Sequence, residues 1–542
     1  MRPLQGRGHF FYIQVTICDP FRVVGIFITF RLRFFVLIVV YISYFLIYHL
    51  SFIIYHFFYI CVMKRLFYIF LWCFLLGGSA SAQRGNIWCF GHNAALDFNG
   101  GTPVPISSSV ISRGSCVSIA DTNGDLMFYA NTDAEEAGSI SGLVWNRNHD
   151  LMLGGDSVAG SGWYQEMVII PNPDDDSIFY IFSVGVTFQY GLMYSVIDMR
   201  GDGGLGAVTQ KNVQLLNMLM VDCILAIKHG NGRDWWLLVR PSPVGQPSYN
   251  NTWYRFLISP TGITALPLQN LGAMNGTAGA HLSVSPDGSK ICFNNWGGLI
   301  ELYNFERCTG SLSSTVNIEP QLSVGPYPEY FSSEFSASGR YLYVSSSTIP
   351  WSRLWQFDTW APNITATKTL IWQTPVPPYT IGALKRGPDD KIYVSCAWIQ
   401  SSGGYQYPYD STMYYTENMF MGVINSPDSV GATSNFLPWS YYLGGKRTYW
   451  GLPNNPDYDL PALAGSPCDT LVSIGEAPQM QQAALNVFYH SAWEKAFINA
   501  SNLKGKNGKL LVYDMQGKII HQEPLRIQNG YYTRDLSMQG KA

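Results

Sequence analysis

Beyond the first eighty or so residues, apolar and polar positions alternate with a period of two, in short runs broken by Gly, Pro, Asn and Asp. That pattern predicts many short strands and no long helix. Three stretches superpose: "LSVSPDGSKICFNN" at 282–295, "SEFSASGRYLYVSS" at 333–346 and "LKRGPDDKIYVSCA" at 384–397. Each is an alternating run, a turn, and a second alternating run. Gly288, Gly339 and Asp390 share the turn position, at spacings of 51 and 51. Earlier in the chain, Gly232, Asp176 and Gly124 fall in the same place at spacings of 56, 56 and 52. A seventh unit is expected near residue 441, around Gly444-Gly445. Each unit has room for four strands, and a repeat of that length with four strands is the mark of a β-propeller. The expected fold is all-β: a propeller of seven blades over 83–460, a linker over 461–480, and a small incomplete β-sandwich over 481–542.

The glycines of "MYSVIDMRGDGGLGAVTQKNVQL" at 193–215 fit G-x-G-x-x-G, and Arg200-Gly201-Asp202 spells an integrin-type tripeptide. A dinucleotide fingerprint needs the third glycine to open a helix and an acid about 20 residues later. "AVTQKNVQL" offers neither clearly, and the glycines lie where an outer hairpin of one blade belongs. They are expected to be turn glycines, and no nucleotide is expected.

The start of the chain has a different composition. Residues 1–62 contain 11 Phe but no Ala, Lys, Glu, Asn or Trp. The run from Phe34 to Val62 is apolar enough for a membrane span, yet it lacks the small residues that spanning helices pack with. Upstream DNA translated from a wrong start is the favoured reading, with a membrane anchor as the alternative. Met63 opens "MKRLFYIFLWCFLLGGSASAQ", in which Lys64 and Arg65 precede a short apolar core and Ala80-Ser81-Ala82 precedes Gln83. This is a secretory signal peptide over 63–82, with cleavage between Ala82 and Gln83. The mature protein is therefore expected outside the cell or on its outer surface, by way of the periplasm. Seven of the ten Cys lie beyond the cleavage site, with no C-x-x-C pair and no zinc spacing. An odd number leaves at least one unpaired, and most are expected as buried small hydrophobes. Net charge is -3, which gives no basic field for nucleic acid.

Several of these stretches resemble a known family. "NIWCFGHNAALDFNGGTPVP", "GLVWNRNHDLM", "YSVIDMRGDGGLGAVTQKNV", "HLSVSPDGSKI", "SEFSASGRYLYVSS", "GALKRGPDDKIYVS" and "YWGLPN" are similar to motifs of exported propeller proteins of Bacteroidetes, the gliding-motility-associated or type IX secretion substrates. Two turns depart from the pattern, Ala-Ser-Gly at 337–339 and Asp-Asp at 389–390. "GKLLVYDMQGKIIHQEPL" at 508–525 resembles the central hairpin of a type IX C-terminal sorting domain, here divergent and short of its final strand. The resemblance implies the type IX machinery as a partner. It implies an address rather than an enzymatic activity.

The chemistry visible in the sequence is sparse. "DTNGD" at 121–125 opens like a calcium loop, but Leu126 and Thr132 stand where an EF-hand needs Gly and Glu. "PNPDDDS" at 171–177 reads as a solvated turn. No G-x-S-x-G, H-E-x-x-H or P-loop occurs, and the nine His form no metal-spaced cluster. No catalytic residue, metal or cofactor is assigned, with calcium kept as a candidate. One pattern stands out. Glu166, Asp222 and Glu329 each lie ten residues before an aligned turn, in three blades. Equal register means equal height on the axis, so the three carboxylates are expected at one channel mouth, with His281, Glu334 and Lys385 deeper. Crowded acids would raise each other's pKa or attract a cation. The leading expectation is a binding or structural module for a glycan, a protein or the envelope. The alternative is a hydrolase or lyase with an acidic site at the channel mouth.

The Ala-x-Ala site predicts a mature N-terminus at or near Gln83, to be read by N-terminal sequencing of the native protein. Peptides from residues 1–62 would contradict the misplaced start.

Overall fold

In the computed structural model the chain divides after Ala80. The described residues are 83–132, 140–187, 190–243, 250–323, 325–347, 351–375, 380–397 and 416–469, with strands between 484 and 537. Residues 1–82, which include the leading apolar segment, the expected signal peptide and Ala82, lie outside the described residues. Among the described residues no helix is long and apolar enough to cross a membrane.

Seven antiparallel sheets stand in a ring, each a meander taken in chain order. Six blades begin with a strand against the axis: Cys116–Ala120, Met167–Pro171, Met220–Lys228, Ala280–Val284, Tyr330–Phe335 and Ile381–Arg386. The six aligned turns each join this innermost strand to the next, so the 51–56 residue spacing is the length of one blade. At the fifth blade's turn, Asp287 Oδ1 accepts the Ser289 amide at 3.0 Å, and Gly288 takes a φ of 73°. Asp390 takes 62° at the equivalent position, which explains why Asp can replace Gly there: its short polar side chain tolerates the left-handed region.

The remaining blade is not where the spacing places it. Gly444 and Gly445 follow Phe436–Tyr442, the outermost strand of the last blade. The chain instead builds its first blade from both ends of the domain. Ile87–Phe90, His92–Asp97 and Val104–Ile111 supply the sheet, and the segment 447–455 supplies the axial position. Ala383 N–H donates to Trp450 O at 2.8 Å on one side. On the other, Trp450 N–H donates to Arg113 O at 3.1 Å and Asn454 N–H to Cys116 O at 2.9 Å. Closure of the ring leaves no open edge around the axis.

Burial falls from the axis outward. Met167–Pro171 and Met220–Lys228 are buried along nearly their whole length, because each innermost strand is covered on both faces by neighbouring blades. The outermost strand Ser311–Glu319 is mostly exposed and reads "SLSSTVNIE". The core therefore lies between blades. Val117, Ile169, Phe179, Ile224 and Trp235 form one such contact across three of them, each large side chain contributing about 1.5–3 kcal/mol on full burial. The glycine-rich stretch 201–206 joins Leu192–Asp198 to Ala207–Leu216, the outer hairpin of the third blade, as expected.

Cys308 and Cys468 form a disulfide, and Cys89, Cys116, Cys223, Cys292 and Cys396 are free and buried. The disulfide acts with two hydrogen bonds, Leu463 N–H to Gly230 O at 2.7 Å and an Arg307 guanidinium N–H to Pro461 O at 2.6 Å. Residues 461–469, expected to open a linker, are thus fastened to the fourth and fifth blades. Farther on, Ala484–His490, Lys495–Ser501 and Tyr532–Ser537 form a three-stranded sheet, and Asn507–Tyr513 pairs with Ile519–Arg526 as a hairpin. The hairpin matches the expected one. Tyr532–Ser537 supplies a strand after it, where the sequence reading had the domain stop short.

The closing segment passes the second blade at close range. A Cβ built on Gly451 would stand 2.1 Å from the Gly114 carbonyl oxygen. Gly451→Ala should therefore cost about 1–3 kcal/mol through forced displacement of backbone, measured by denaturant unfolding. Gly85, which has nothing within 4 Å, is the matched control, and its Ala variant should be near neutral.

Candidate functional site

Four aromatic side chains from four blades meet across the axis. Tyr164 precedes the third blade's innermost strand, and Trp296 follows the second strand of the fifth. Phe331 sits in the innermost strand of the sixth, and Trp450 belongs to the closing segment. Ring centroids lie 5.0 Å apart for Tyr164–Phe331, 5.8 Å for Tyr164–Trp296 and 5.1 Å for Phe331–Trp450. These tilted and edge-on contacts are favourable beyond the area they bury. They also divide the channel. A cavity of about 630 Å³ lies at the upper mouth, where the innermost strands begin, and one of about 640 Å³ at the lower end. Tyr164, Trp296 and Phe331 line both.

The predicted residues divide between these places. Glu166 and Asp222 are buried behind the loop 161–165 and do not line the upper cavity. Glu166 accepts the backbone N–H groups of Ser161, Gly162 and Trp163 at 3.0–3.1 Å. Asp222 accepts those of Tyr164 and Gln165 at 3.1–3.2 Å. Burial pushes both acids up, and the charge of Asp222 adds to the rise at Glu166, while the amide donors oppose it. Five successive amides without strand partners are thereby satisfied, as buried donors must be. The two carboxylates act as struts for the loop that carries Trp163 and Tyr164. No group of three or more His, Cys, Asp or Glu is placed to hold a metal ion among the described residues.

Glu329 is the one of the three acids that faces the upper cavity. It is half-buried, it takes a φ of 44°, and its Oε2 accepts the Ser347 hydroxyl at 3.3 Å. A non-glycine residue in the left-handed region is uncommon and concentrates at functional positions. Burial raises its pKa, and the Ser347 hydroxyl counters that. Across the cavity, the Arg113 guanidinium lies 5.0 Å over the Trp163 ring. Ser161 and Thr187 complete the polar part of the wall.

His281, Glu334 and Lys385 line the lower cavity, beyond the aromatic layer. Lys385 Nζ donates to Asn455 O at 2.6 Å. Glu334 accepts the amides of Phe335 and Arg386 at 3.0 and 3.1 Å. His281 Nδ1 accepts the Ser333 amide at 3.4 Å, and its Nε2 lies 3.4 Å from Ser332 Oγ. Burial lowers the lysine pKa, with Glu334 partly restoring it. Burial, with the nearby Lys385 charge, lowers that of His281 to about 3. These groups join blades five, six and seven and the closing segment.

The aromatic layer shares no register with the three acids. Tyr164, Trp296, Phe331 and Trp450 stand at unrelated offsets from the aligned turns, so no periodic signal marks them. Arg113 lies eleven residues before Gly124, one position off the register that the three acids share.

Fold and cavities together define a seven-bladed β-propeller with two axial cavities that share an aromatic wall. No family model matches the chain, and no curated protein matches it. Solved structures similar to it include a Bacteroides uniformis protein provisionally named a 6-phosphogluconolactonase, at 14% identity and a TM-score of 0.40, over 66% of this chain and 98% of that one. A Bacteroides fragilis protein with the same provisional name is similar at 12% identity and 0.39, over 68% and 98%. The periplasmic gluconolactonase PpgL of Pseudomonas aeruginosa is similar at 11% and 0.33, over 76% and 99%.

The neutral His281 predicts acid sensitivity. In the unfolded chain the ring takes a proton below about pH 6.5, whereas in the folded chain it stays neutral to about pH 3. The unfolded state therefore binds more protons in that window, and stability falls as the pH drops through it. His281→Gln, which cannot take up the proton, should flatten the slope of Tm against pH between about 6.5 and 4. An unchanged slope would mean that another group sets it.

Proposed function

We propose that this chain is an exported propeller that acts as a binding module, with its ligand in the upper cavity. The observation that carries this reading is the cavity itself. It falls in the ordinary size range for ligand sites, and its lining pairs an aromatic surface, Trp163, Tyr164, Trp296, Phe331 and Trp450, with the polar side chains of Arg113, Ser161, Thr187, Glu329 and Ser347. The hydrolase or lyase alternative needs a pair of groups within hydrogen-bond reach of a reacting atom. Glu329 is the one carboxylate lining that cavity among the described residues, and Glu166 and Asp222 already hold backbone amides. The similar lactonase-named structures share too little geometry to favour catalysis.

Export is supported by the signal peptide and by the Cys308–Cys468 disulfide, since such bonds persist in oxidising compartments. Type IX passage rests on the motif resemblance and on the strand–hairpin order of the C-terminal region. In this reading the propeller is the cargo, and its ligand is a glycan, a protein or a component of the envelope.

The test is retention of mature protein on glycan arrays, peptide arrays and isolated cell envelopes. Thr187 is exposed at the cavity, so Thr187→Trp should fill the mouth without disturbing the core. Retention should be lost in this variant while Tm is unchanged. Retention that survives the substitution would place the ligand elsewhere and overturn the reading.

A further inference from the structure

Charge, shape and surface in the upper cavity narrow the ligand further, on the premise that this cavity is the binding site. Its floor is a continuous aromatic surface: Trp296 and Phe331 are stacked at 18°, and Trp450 and Tyr164 close around them. Such a floor favours a ligand with one flat apolar face. The cavity wall, among the described residues, has one cation and one anion, Arg113 and Glu329. An anionic ligand would meet the Glu329 carboxylate, and an organic cation would meet a guanidinium already resting on Trp163. Like charges at such distances are unfavourable in a partly desolvated site. A neutral ligand with both hydroxyl donors and acceptors meets neither penalty.

We propose that the upper cavity binds a neutral saccharide, with the apolar face of a sugar ring on the aromatic floor and its hydroxyls held by Glu329 and Arg113. Acceptor capacity is present. An ionised carboxylate has about four lone-pair sites, and Ser347 uses one of them through a contact of 3.3 Å. Arg113 brings a planar fork of donors, held over Trp163. The backbone at Glu329, at a φ of 44° just before the innermost strand, fixes this acid at the mouth. A cavity of about 630 Å³ accommodates more than one sugar ring.

Intrinsic tryptophan fluorescence and calorimetry on the mature protein test this, with neutral cello-, xylo-, manno- and malto-hexaoses, an oligogalacturonate, a nucleoside and a basic peptide as probes. A neutral hexaose should quench and shift the emission, because Trp163, Trp296 and Trp450 line the cavity. Glu329→Gln keeps the shape and removes the charge; it should weaken that binding about tenfold, the loss of a charge-assisted hydrogen bond. Thr187→Trp should abolish it. Binding of the oligogalacturonate, nucleoside or peptide alone, blocked by Thr187→Trp, would overturn the saccharide assignment and leave the binding-module reading standing. Saccharide binding unaffected by both substitutions would place the sugar outside this cavity and overturn the assignment. Absence of saccharide binding would do the same, and the envelope retention assay then decides the module reading separately.

Discussion

The propeller depends on one stretch of backbone that runs along the axis, 450–455. Asn454 is its centre. Its amide donates to Cys116 O, and its Nδ2 donates to Met167 O and Ile224 O, each at 2.9 Å. Its Oδ1 accepts from Gln165, whose side chain in turn pairs with both the N–H and the C=O of Leu282. Asn455 pairs with Ser118 and receives Lys385. Two consecutive asparagines thus tie five blades together from the inside. A buried carboxamide network of this kind stabilises only when it is fully satisfied, and here the partners are backbone groups whose positions the blades themselves set. Ring closure and blade geometry are therefore mutually conditional.

The same segment shapes the site. Trp450, fixed by backbone bonds on both flanks, contributes to the aromatic layer that separates the two cavities. The layer stands between the lysine and histidine of the lower cavity and, among the described residues, the one acid and one base that line the upper cavity. Without it the channel would be one tube of mixed charge. With it, the upper mouth has an apolar floor and an almost neutral wall, a surface suited to stacking and hydrogen bonding more than to acid–base chemistry.

Buried acids in this protein hold backbone in place. Glu166 and Asp222 supply acceptors to five loop amides, and the loop in turn presents Trp163 and Tyr164. Their high burial and mutual repulsion would look catalytic if the hydrogen-bond partners were ignored. Partners and position decide the matter: both carboxyls are engaged by loop amides, and neither lines the upper cavity. Among the described residues, Glu329 is the one carboxyl that lines the cavity, and it accepts the Ser347 hydroxyl there.

Period-two alternation and the recurrence of turn-capable residues every 51–56 positions determined the blade architecture, because strand and turn formation are local and each blade repeats the same local problem. The turn chemistry at Gly288 and Asp390 and the outer hairpin at Gly201–Gly206 were legible for the same reason. Register predicts similar heights for Glu166, Asp222 and Glu329. It could not tell which of them would turn toward backbone, since that depends on where the loop 161–165 lies. Closure was also hidden. The axial position of the first blade is filled by the segment 447–455 while its sheet comes from 87–111, a juxtaposition across more than three hundred residues that no local pattern encodes. The aromatic floor followed from it, because Tyr164, Trp296, Phe331 and Trp450 become neighbours only when the ring has closed around them.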